Sequence, residues 1–202
     1  MIDWDTNFTA KKLTVREIDY GHTMWPNTGG RGQRINRDGN KFEMEVTLPP
    51  VRSHEDGERL AVLLMKAKRE GLRMRVPTFG FDSTVNGVPP GAPTITLQVN
   101  PPTSIFRIQN FTNQYVPQPG QYFSVTSNGS SYLHKVFRRL GGNVDAGEVN
   151  LEAYPVPRAL YQVADAVEFE HPVIEGMLVG DSVEWDVRIA NLMDIVFTIR
   201  EY

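Results

Sequence analysis

The chain has 202 residues, of which 40% are hydrophobic and 22% are charged, and its formal net charge is −3. This composition supports a packed core in one sizeable domain or two small ones, and it excludes extensive disorder. The acidic balance excludes the strongly basic surface with which a whole chain binds nucleic acid or an anionic membrane. The absence of cysteine excludes disulfides, zinc–thiolate sites and cysteine nucleophiles.

The chain shows no targeting or membrane segment. Residues 1–5 carry neither a basic region nor an apolar one, so we expect no signal peptide. The longest apolar run, residues 60–65, is far shorter than the roughly 20 residues that cross a bilayer. We therefore expect the protein to fold in a cytosolic compartment and to have no membrane partner.

An alternating pattern predicts a strand over residues 42–48. Its apolar side chains fall on one face because successive residues of a strand point to opposite sides: Phe42, Met44, Val46 and Leu48. Asp38-Gly39 is a typical hairpin turn, so we expect a partner strand at about residues 32–36. A further strand is predicted upstream, over residues 13–18.

One amphipathic helix is predicted between Ser53 and Gly71. Ser53 and Asp56 resemble a capping box, and acidic residues near the start with basic residues near the end suit the helix dipole. Gly71 suits the left-handed position that follows a helix. The apolar stripe that we expect to pack on a sheet has helical spacing: Leu60, Leu63, Leu64 and Ala67.

The second half of the chain predicts a small β domain. Glycine and proline are concentrated between residues 80 and 91, which indicates a domain boundary. Five short strands follow at even spacing, as in a small barrel or sandwich: residues 95–99, 105–108, 122–125, 132–138 and 149–154.

The last strands are expected to return to the first domain. Residues 183–189 and 195–199 alternate and predict a hairpin, which is only marginally stable alone. We therefore predict a mainly β protein. A discontinuous β-sandwich domain with one packed helix comprises residues 1–81 and 166–202, and an inserted β-barrel-like domain of OB or galectin type comprises residues 82–165.

No pattern predicts a catalytic residue, a cofactor site or a metal site. The glycine-rich residues 28–32 lack the Lys-Ser/Thr and the helix of a phosphate loop. Residues 36–40 and 143–148 resemble calcium loops in composition, but ordinary turns explain them better. The histidines are not spaced as metal ligands. We expect His22 in a loop, His54 at the start of the helix, His134 in a strand and His171 in a turn.

Three segments mix aromatic and polar side chains. Residues 132–139 interleave aromatic and basic residues, which suits nucleic-acid binding on an OB barrel, but alternation favours a strand with one solvent-facing side. The loop at Trp25-Pro26 and residues 106–115 fit either a core or a subunit interface.

Several motifs occur in a characteristic order: residues 119–125, 133–136 and 145–151, then Tyr154-Pro155 and Arg158. Gly30-Arg31, the strand ending at Leu48-Pro49 and the helix precede them, and the Trp185 strand and residues 197–201 follow. This order resembles the distal tail proteins of long-tailed bacteriophages. One departure is Gln121, where that family tends to have an aspartate that we expect to cap a turn.

The resemblance implies a structural protein of the virion that is not an enzyme. Such proteins form a ring, typically a hexamer, between the tail tube and the tip hub or baseplate. The implied partners are further copies of the chain, the tail tube protein and the hub proteins. Direct contact with nucleic acid is not implied, and assembly takes place in the host cytoplasm.

Three alternatives stay open. A carbohydrate-binding module for host adsorption needs exposed aromatic side chains on the second domain, and the candidates are Tyr122, Tyr132 and Tyr154. Another structural location, in the head–tail neck or in the tube itself, is also compatible with a β-rich chain. A tail-associated hydrolase is least favoured because no nucleophile is paired with a base.

Overall fold

The structure is a computed structural model that describes residues 1–4, 10–78, 81, 88–180, 185–187 and 191–202. It is mainly β, with one α-helix, a larger sheet and a closed six-stranded antiparallel barrel, which confirms the predicted fold class. The first of two compact units contains Met1–Arg16, Phe42–Arg75 and Val173–Tyr202. The second contains Glu17–Lys41 and Val76–Pro172.

In the described part of the chain the elements follow in this order: β1 (Ile2–Asp3), β2 (Lys12–Ile18), β3 (His22–Met24), β4 (Gln33–Ile35), β5 (Lys41–Thr47), β6 (Val51–Arg52), a π-helical turn (Ser53–Gly57), α1 (Glu58–Glu70), β7 (Leu72–Arg75), β8 (Gly91–Ile95), β9 (Ile105–Phe111), β10 (Tyr122–Ser127), β11 (Ser130–Gly141), a 3₁₀ turn (Val144–Ala146), β12 (Val149–Tyr154), β13 (Ala166–Glu168), β14 (Val173–Leu178), β15 (Trp185–Val187) and β16 (Leu192–Glu201). None of the helices among the described residues is long and apolar enough to cross a membrane.

The larger sheet has the strand order β1-β7-β14-β16-β5-β2, and β6 and β15 also pair with β16. The predicted apolar face of β5 is confirmed, because Phe42, Met44 and Val46 are buried, as is Leu48 directly after the strand. Its predicted partner is wrong: β4 pairs with β3, while β5 pairs with β16 and β2. The apolar face of β5 needs apolar neighbours, and β16 supplies them, whereas every residue of β4 is exposed.

The helix buries three of the four residues of its predicted stripe, with Leu63 only half-buried, and it has a different start. Residues 53–57 form a π-helical turn, and α1 begins at Glu58 with no side-chain cap, so the predicted capping box is wrong. The helix ends before Gly71, whose φ of 83° is positive as expected, but its ψ of 162° is not that of the predicted left-handed helical conformation. Its buried side chains are Leu60, Ala61, Leu64 and Ala67, and α1 packs against β14.

Glu43 is a buried carboxylate that links three strands of the sheet. Only 2% of this residue is exposed, and its two oxygens accept hydrogen bonds of 2.6 Å from Nε of Arg16 on β2 and from Nε of Arg200 on β16. Burial by itself raises the pKa of Glu43, but these two hydrogen bonds outweigh it and lower that pKa below its ordinary value of 4.5. The contact therefore favours this strand register with the carboxylate ionised.

We predict that Glu43→Gln lowers the free energy of unfolding at pH 7 by about 1 kcal/mol, a modest loss because both arginines are partly exposed. Because the pKa of Glu43 is lower in the folded state than in the unfolded state, its ionisation stabilises the folded state at a pH above the unfolded-state pKa. This contribution is lost as the pH falls through the folded-state pKa. The difference between variant and wild type should therefore shrink below pH 4.5. Urea unfolding from pH 7 to 3 tests this, with Glu45→Gln on the same strand as the control; a constant difference would contradict it.

The barrel closes in the order β10-β11-β12-β9-β8-β13, with every pair antiparallel. Four of the five predicted strands are present within three residues of their expected bounds, whereas the strand predicted over residues 95–99 lies four residues earlier, as β8. The sixth, β13, was not predicted because it is only three residues long. The core of the barrel is rich in large aromatic side chains: Phe106, Phe111, Tyr115, Phe123, Tyr161 and Phe169.

The compact units differ from the predicted domain boundaries. Residues 17–41, 76–78, 81 and 166–172 were predicted in the first domain, and the structure places them in the second unit. The reason is hydrogen bonding over long sequence distances. Strand β13 pairs with β8 and β10, and Nη1 of Arg158 donates to the carbonyl oxygen of Asn40 at 3.0 Å.

The C-terminal hairpin of β15 and β16 is confirmed, as is the pairing of β16 with the first sheet. Two of its predicted residues, Val183 and Ile189, lie outside the described residues. Strand β14 was not predicted because a buried Glu175 and a glycine interrupt its apolar residues. Glu175 accepts two hydrogen bonds from Arg73, and a side chain at Gly176 would collide with the carbonyl oxygen of Arg200.

Candidate functional site

The histidines occupy unrelated positions. His22 was expected in a loop but lies in strand β3, His54 lies in the π-helical turn and His171 lies after β13. His134 lies on β11, as expected, and is fully buried. Among the residues that the structure describes, no group of three or more His, Asp and Glu side chains is placed to hold a metal ion.

His134 is the polar centre of the barrel core. Its Nδ1 lies 2.8 Å from the carbonyl oxygen of Pro155, and its Nε2 lies 2.7 Å from the hydroxyl oxygen of Tyr161. The rings of Phe106 and Phe123 lie 4.9 and 5.4 Å from the imidazole, measured between centroids. Because a carbonyl only accepts, Nδ1 must carry the proton, so Nε2 accepts the proton of Tyr161.

This environment keeps the imidazole neutral. Burial lowers the pKa of His134 to about 3, although the hydrogen bond to Pro155 acts in the opposite direction. Nearby Arg158 also disfavours a second positive charge. Both ring nitrogens are therefore engaged in hydrogen bonds within the core, and neither is available to a substrate.

We predict that His134→Gln flattens the pH dependence of stability. Below pH 6.5 the imidazole of His134 is protonated in the unfolded state but stays neutral in the folded state. The free energy of unfolding of the wild type therefore falls by about 1.4 kcal/mol per pH unit, down to the folded-state pKa. The variant should lack this slope and should be less stable at pH 7 by about 1–3 kcal/mol. Chemical unfolding between pH 7 and 4 tests the slope, with exposed His171→Gln as the control; equal slopes for wild type and His134→Gln would contradict it.

The loop segments singled out in the sequence are held by local turns. In residues 143–148, the N–H of Glu148 donates to the carbonyl oxygen of Asn143, and Gly147 has a φ of 68°. In residues 36–40, Oδ1 of Asn40 accepts the N–H of Tyr20 at 3.0 Å. Residues 28–32 form an exposed loop. These contacts hold both turns in place.

The two ambiguous aromatic segments have opposite positions. The large side chains of residues 106–115 are core, because Phe106, Ile108, Phe111 and Tyr115 are at most 4% exposed. The side chain of Trp25 is 74% exposed, beside exposed Met24. Of the two, only the loop at Trp25 is available as an interface.

The segment 132–139 turns both aromatic and basic side chains outward. The predicted alternation is wrong at Leu133, which is buried beside the buried His134. After that point Lys135, Phe137 and the two following arginines are exposed. The aromatic and basic character of the segment therefore reaches solvent mainly between residues 135 and 139.

An outer strip of aromatic and charged side chains crosses strands β10 to β12: Tyr122, Lys135, Phe137, Arg138, Glu152 and Tyr154. Its members contact one another on the barrel surface. Nζ of Lys135 lies 4.7 Å from the ring centroid of Tyr122, and the rings of Phe137 and Tyr154 meet edge-on at 6.1 Å.

The charges of the outer strip are partly paired. Nε of Arg138 donates to Glu152 at 2.7 Å, and the hydroxyl of Tyr154 donates to the other oxygen of that carboxylate at 3.0 Å. These hydrogen bonds lower the pKa of Glu152. Because both carboxylate oxygens are engaged, Glu152 holds the strip in place and leaves the aromatic rings of Phe137 and Tyr154 exposed.

A polar cleft of about 200 Å³ adjoins the outer strip on the same side of the barrel wall. It is lined by Thr96, Arg107, Ile108, Glu148 and Asn150. Arg107 and Asn150 are opposite each other on β9 and β12, and Asn150 precedes Glu152 by two residues. Because residues two apart on a strand share a face, the cleft and the strip form one continuous outward surface.

The predicted aromatic candidates separate into two groups. Tyr122 and Tyr154 belong to the outer strip, on either side of Lys135. Tyr132 instead packs against Tyr161, with a ring distance of 5.5 Å, and beneath the guanidinium of Arg158. Sequence reasoning missed the polar cleft because its residues come from segments more than 50 positions apart (Thr96 and Asn150).

Comparison with models of protein families found no match to this chain, and a search of curated proteins found no match either. The resemblance in motif order to distal tail proteins therefore stays a prediction. Any functional conclusion has to rest on that order and on the surfaces described above.

Proposed function

We propose that the chain is a virion structural protein of a long-tailed bacteriophage, a distal tail protein that joins the tail tube to the tip hub or baseplate. Its copies form a closed ring, a hexamer, located in the phage tail after assembly in the host cytoplasm. In this proposal its partners are itself, the tube protein and the hub proteins. The role is geometric, because a head-to-tail interface produces a closed ring when its rotation closes.

The positions of the motif residues in the barrel support the hypothesis that the motifs have a structural role. Residues 119–125 form the entry to β10, and residues 133–136 form the part of β11 that contains His134. At the one departure from the family pattern, Gln121 is buried, its Oε1 accepts the N–H of Gln118 and its Nε2 donates to the hydroxyl of Tyr115. Gln121 thus closes the turn, the function that we expected of the aspartate.

The observation that carries the proposal is an arm, residues 20–35, that contains the two-stranded sheet of β3 and β4. Within the described residues this sheet pairs with no other strand. An isolated two-stranded sheet is marginally stable, and exposed aromatic side chains are typical of subunit interfaces. The arm exposes four large apolar side chains: Tyr20, Met24, Trp25 and Ile35.

A neighbouring copy would stabilise this arm by covering it. Trp25 is the most exposed of its large apolar side chains, and its ring lies beside Gly32, where a larger side chain would collide with it. Tryptophan is among the side chains that contribute most to interface affinity when a partner buries them. The arm is therefore the surface that we assign to ring formation.

We predict that Trp25→Ser weakens self-association at least tenfold while the chain remains folded, because the tryptophan would be a central interface residue. Mass photometry and negative-stain imaging of the purified protein measure the oligomer. The matched control is Val163→Ser, which changes an exposed apolar side chain in a loop of the barrel unit. A wild-type protein that is monomeric at all concentrations would contradict the proposal.

The location in the tail has its own test. Immunogold labelling of phage particles should place the chain at the distal end of the tail tube. Labelling at the head–tail junction or along the tube would favour the alternative structural locations, and no labelling of particles would reject the virion role.

A further inference from the structure

The polar cleft and the outer strip together have the composition of a carbohydrate site. We propose that this face of the barrel binds a neutral saccharide, with one sugar unit in the polar cleft and the adjoining units against the aromatic rings of the outer strip. The site lies on the barrel surface, so the proposal does not depend on ring formation.

The polar cleft offers donors and acceptors that no other side chain in the described part of the chain uses. Arg107 has only donors, Glu148 has only acceptors, and Asn150 has both. Within the described residues no ion pair or side-chain hydrogen bond engages Arg107 or Glu148. Vicinal hydroxyl groups are donors and acceptors at once, so a sugar satisfies both side chains together.

The balance of charge favours a neutral ligand over an anionic one. The polar cleft holds one guanidinium and one carboxylate, so an anion drawn to Arg107 would also meet the charge of Glu148. In the outer strip, Arg138 is already paired with Glu152. Lys135, over the ring of Tyr122, is the strip's one cation without a carboxylate partner among the described residues.

The outer strip supplies the apolar surface that a sugar ring needs. Phe137 is 56% exposed and Tyr154 is 43% exposed, so both present aromatic surface to solvent. Their edge-on contact and the hydrogen bond from Tyr154 to Glu152 fix both rings, so little side-chain entropy is lost on binding. The C–H face of a pyranose can pack against such rings.

The spacing of the two parts suits a short oligosaccharide rather than a single sugar. Asn150 in the polar cleft and Tyr154 in the outer strip lie four positions apart on β12. A strand advances about 3.3 Å per residue, so the two are separated by roughly 13 Å. A ligand of several linked units can therefore contact both parts at the same time.

A glycan array and calorimetry test the proposal. One arm presents neutral hexose and N-acetylhexosamine oligosaccharides, and the other presents uronic-acid oligosaccharides and polyol-phosphate polymers. We expect wild type to bind on the neutral arm, and the best-bound oligosaccharide is then titrated into each variant. Arg107→Gln, Glu148→Gln and Phe137→Ser should each weaken binding at least tenfold.

Two variants away from this face are matched controls. Arg69→Gln removes an exposed arginine from the last turn of α1, and Trp25→Ser removes an exposed aromatic side chain from the arm, so both should bind as wild type does. Circular dichroism checks that each variant is folded. If Phe137→Ser does not fold, the conservative variant Glu148→Gln still tests the site. No binding on the neutral arm, binding to acidic polymers alone, or binding unchanged in all three site variants would overturn the proposal.

Because Trp25→Ser separates the two roles, their failures can be told apart. Loss of the oligomer with saccharide binding intact supports both proposals. A wild-type monomer that binds saccharide rejects the ring alone, and a wild-type ring that binds no saccharide rejects only the carbohydrate site.

Discussion

The closed barrel depends on a single neutral imidazole in its centre. His134 on β11 hydrogen-bonds with the carbonyl of Pro155 on one side and the hydroxyl of Tyr161 on the other, so β11 and the segment that follows β12 meet at one ring. Aromatic side chains fill the remaining space around it. A buried polar group is tolerated only when it is fully hydrogen-bonded, so this contact specifies one arrangement of β11, the segment after β12 and the loop that contains Tyr161.

Closure of the barrel also determines what the outer face can do. Strand alternation directs Val136 and Ala153 into the core, and it turns Lys135 and Tyr154, opposite each other on β11 and β12, outward. The same pleat brings Arg107 and Asn150 to one rim of this face. The immediate neighbours of these aromatic and polar residues point into the core, so the aromatic and polar side chains themselves share one outer surface. The residues that pack the core are therefore distinct from those available to a ligand.

Local patterns predicted much of the fold, and long-range pairing explains the rest. The buried side of β5, the stripe of α1 and five barrel strands follow from periodicity within short windows. Pairing β5 with β16 could not be predicted, since a nearby Asp-Gly pair indicated a local hairpin. Strands β13 and β14 have too little periodicity to detect. Of the candidate site, Tyr122 and Tyr154 were identified, whereas Arg107 and Phe137 join them only through strand register.

The central claim is that copies of this chain form a closed ring at the distal end of a phage tail. A cryo-EM reconstruction of intact tail tips tests it most directly. The account predicts a ring of this chain beneath the last tube ring, with Trp25 of each copy buried against its neighbour and the outer strip facing solvent. A tail tip without this chain, or one in which single copies are bound with Trp25 exposed, would contradict it.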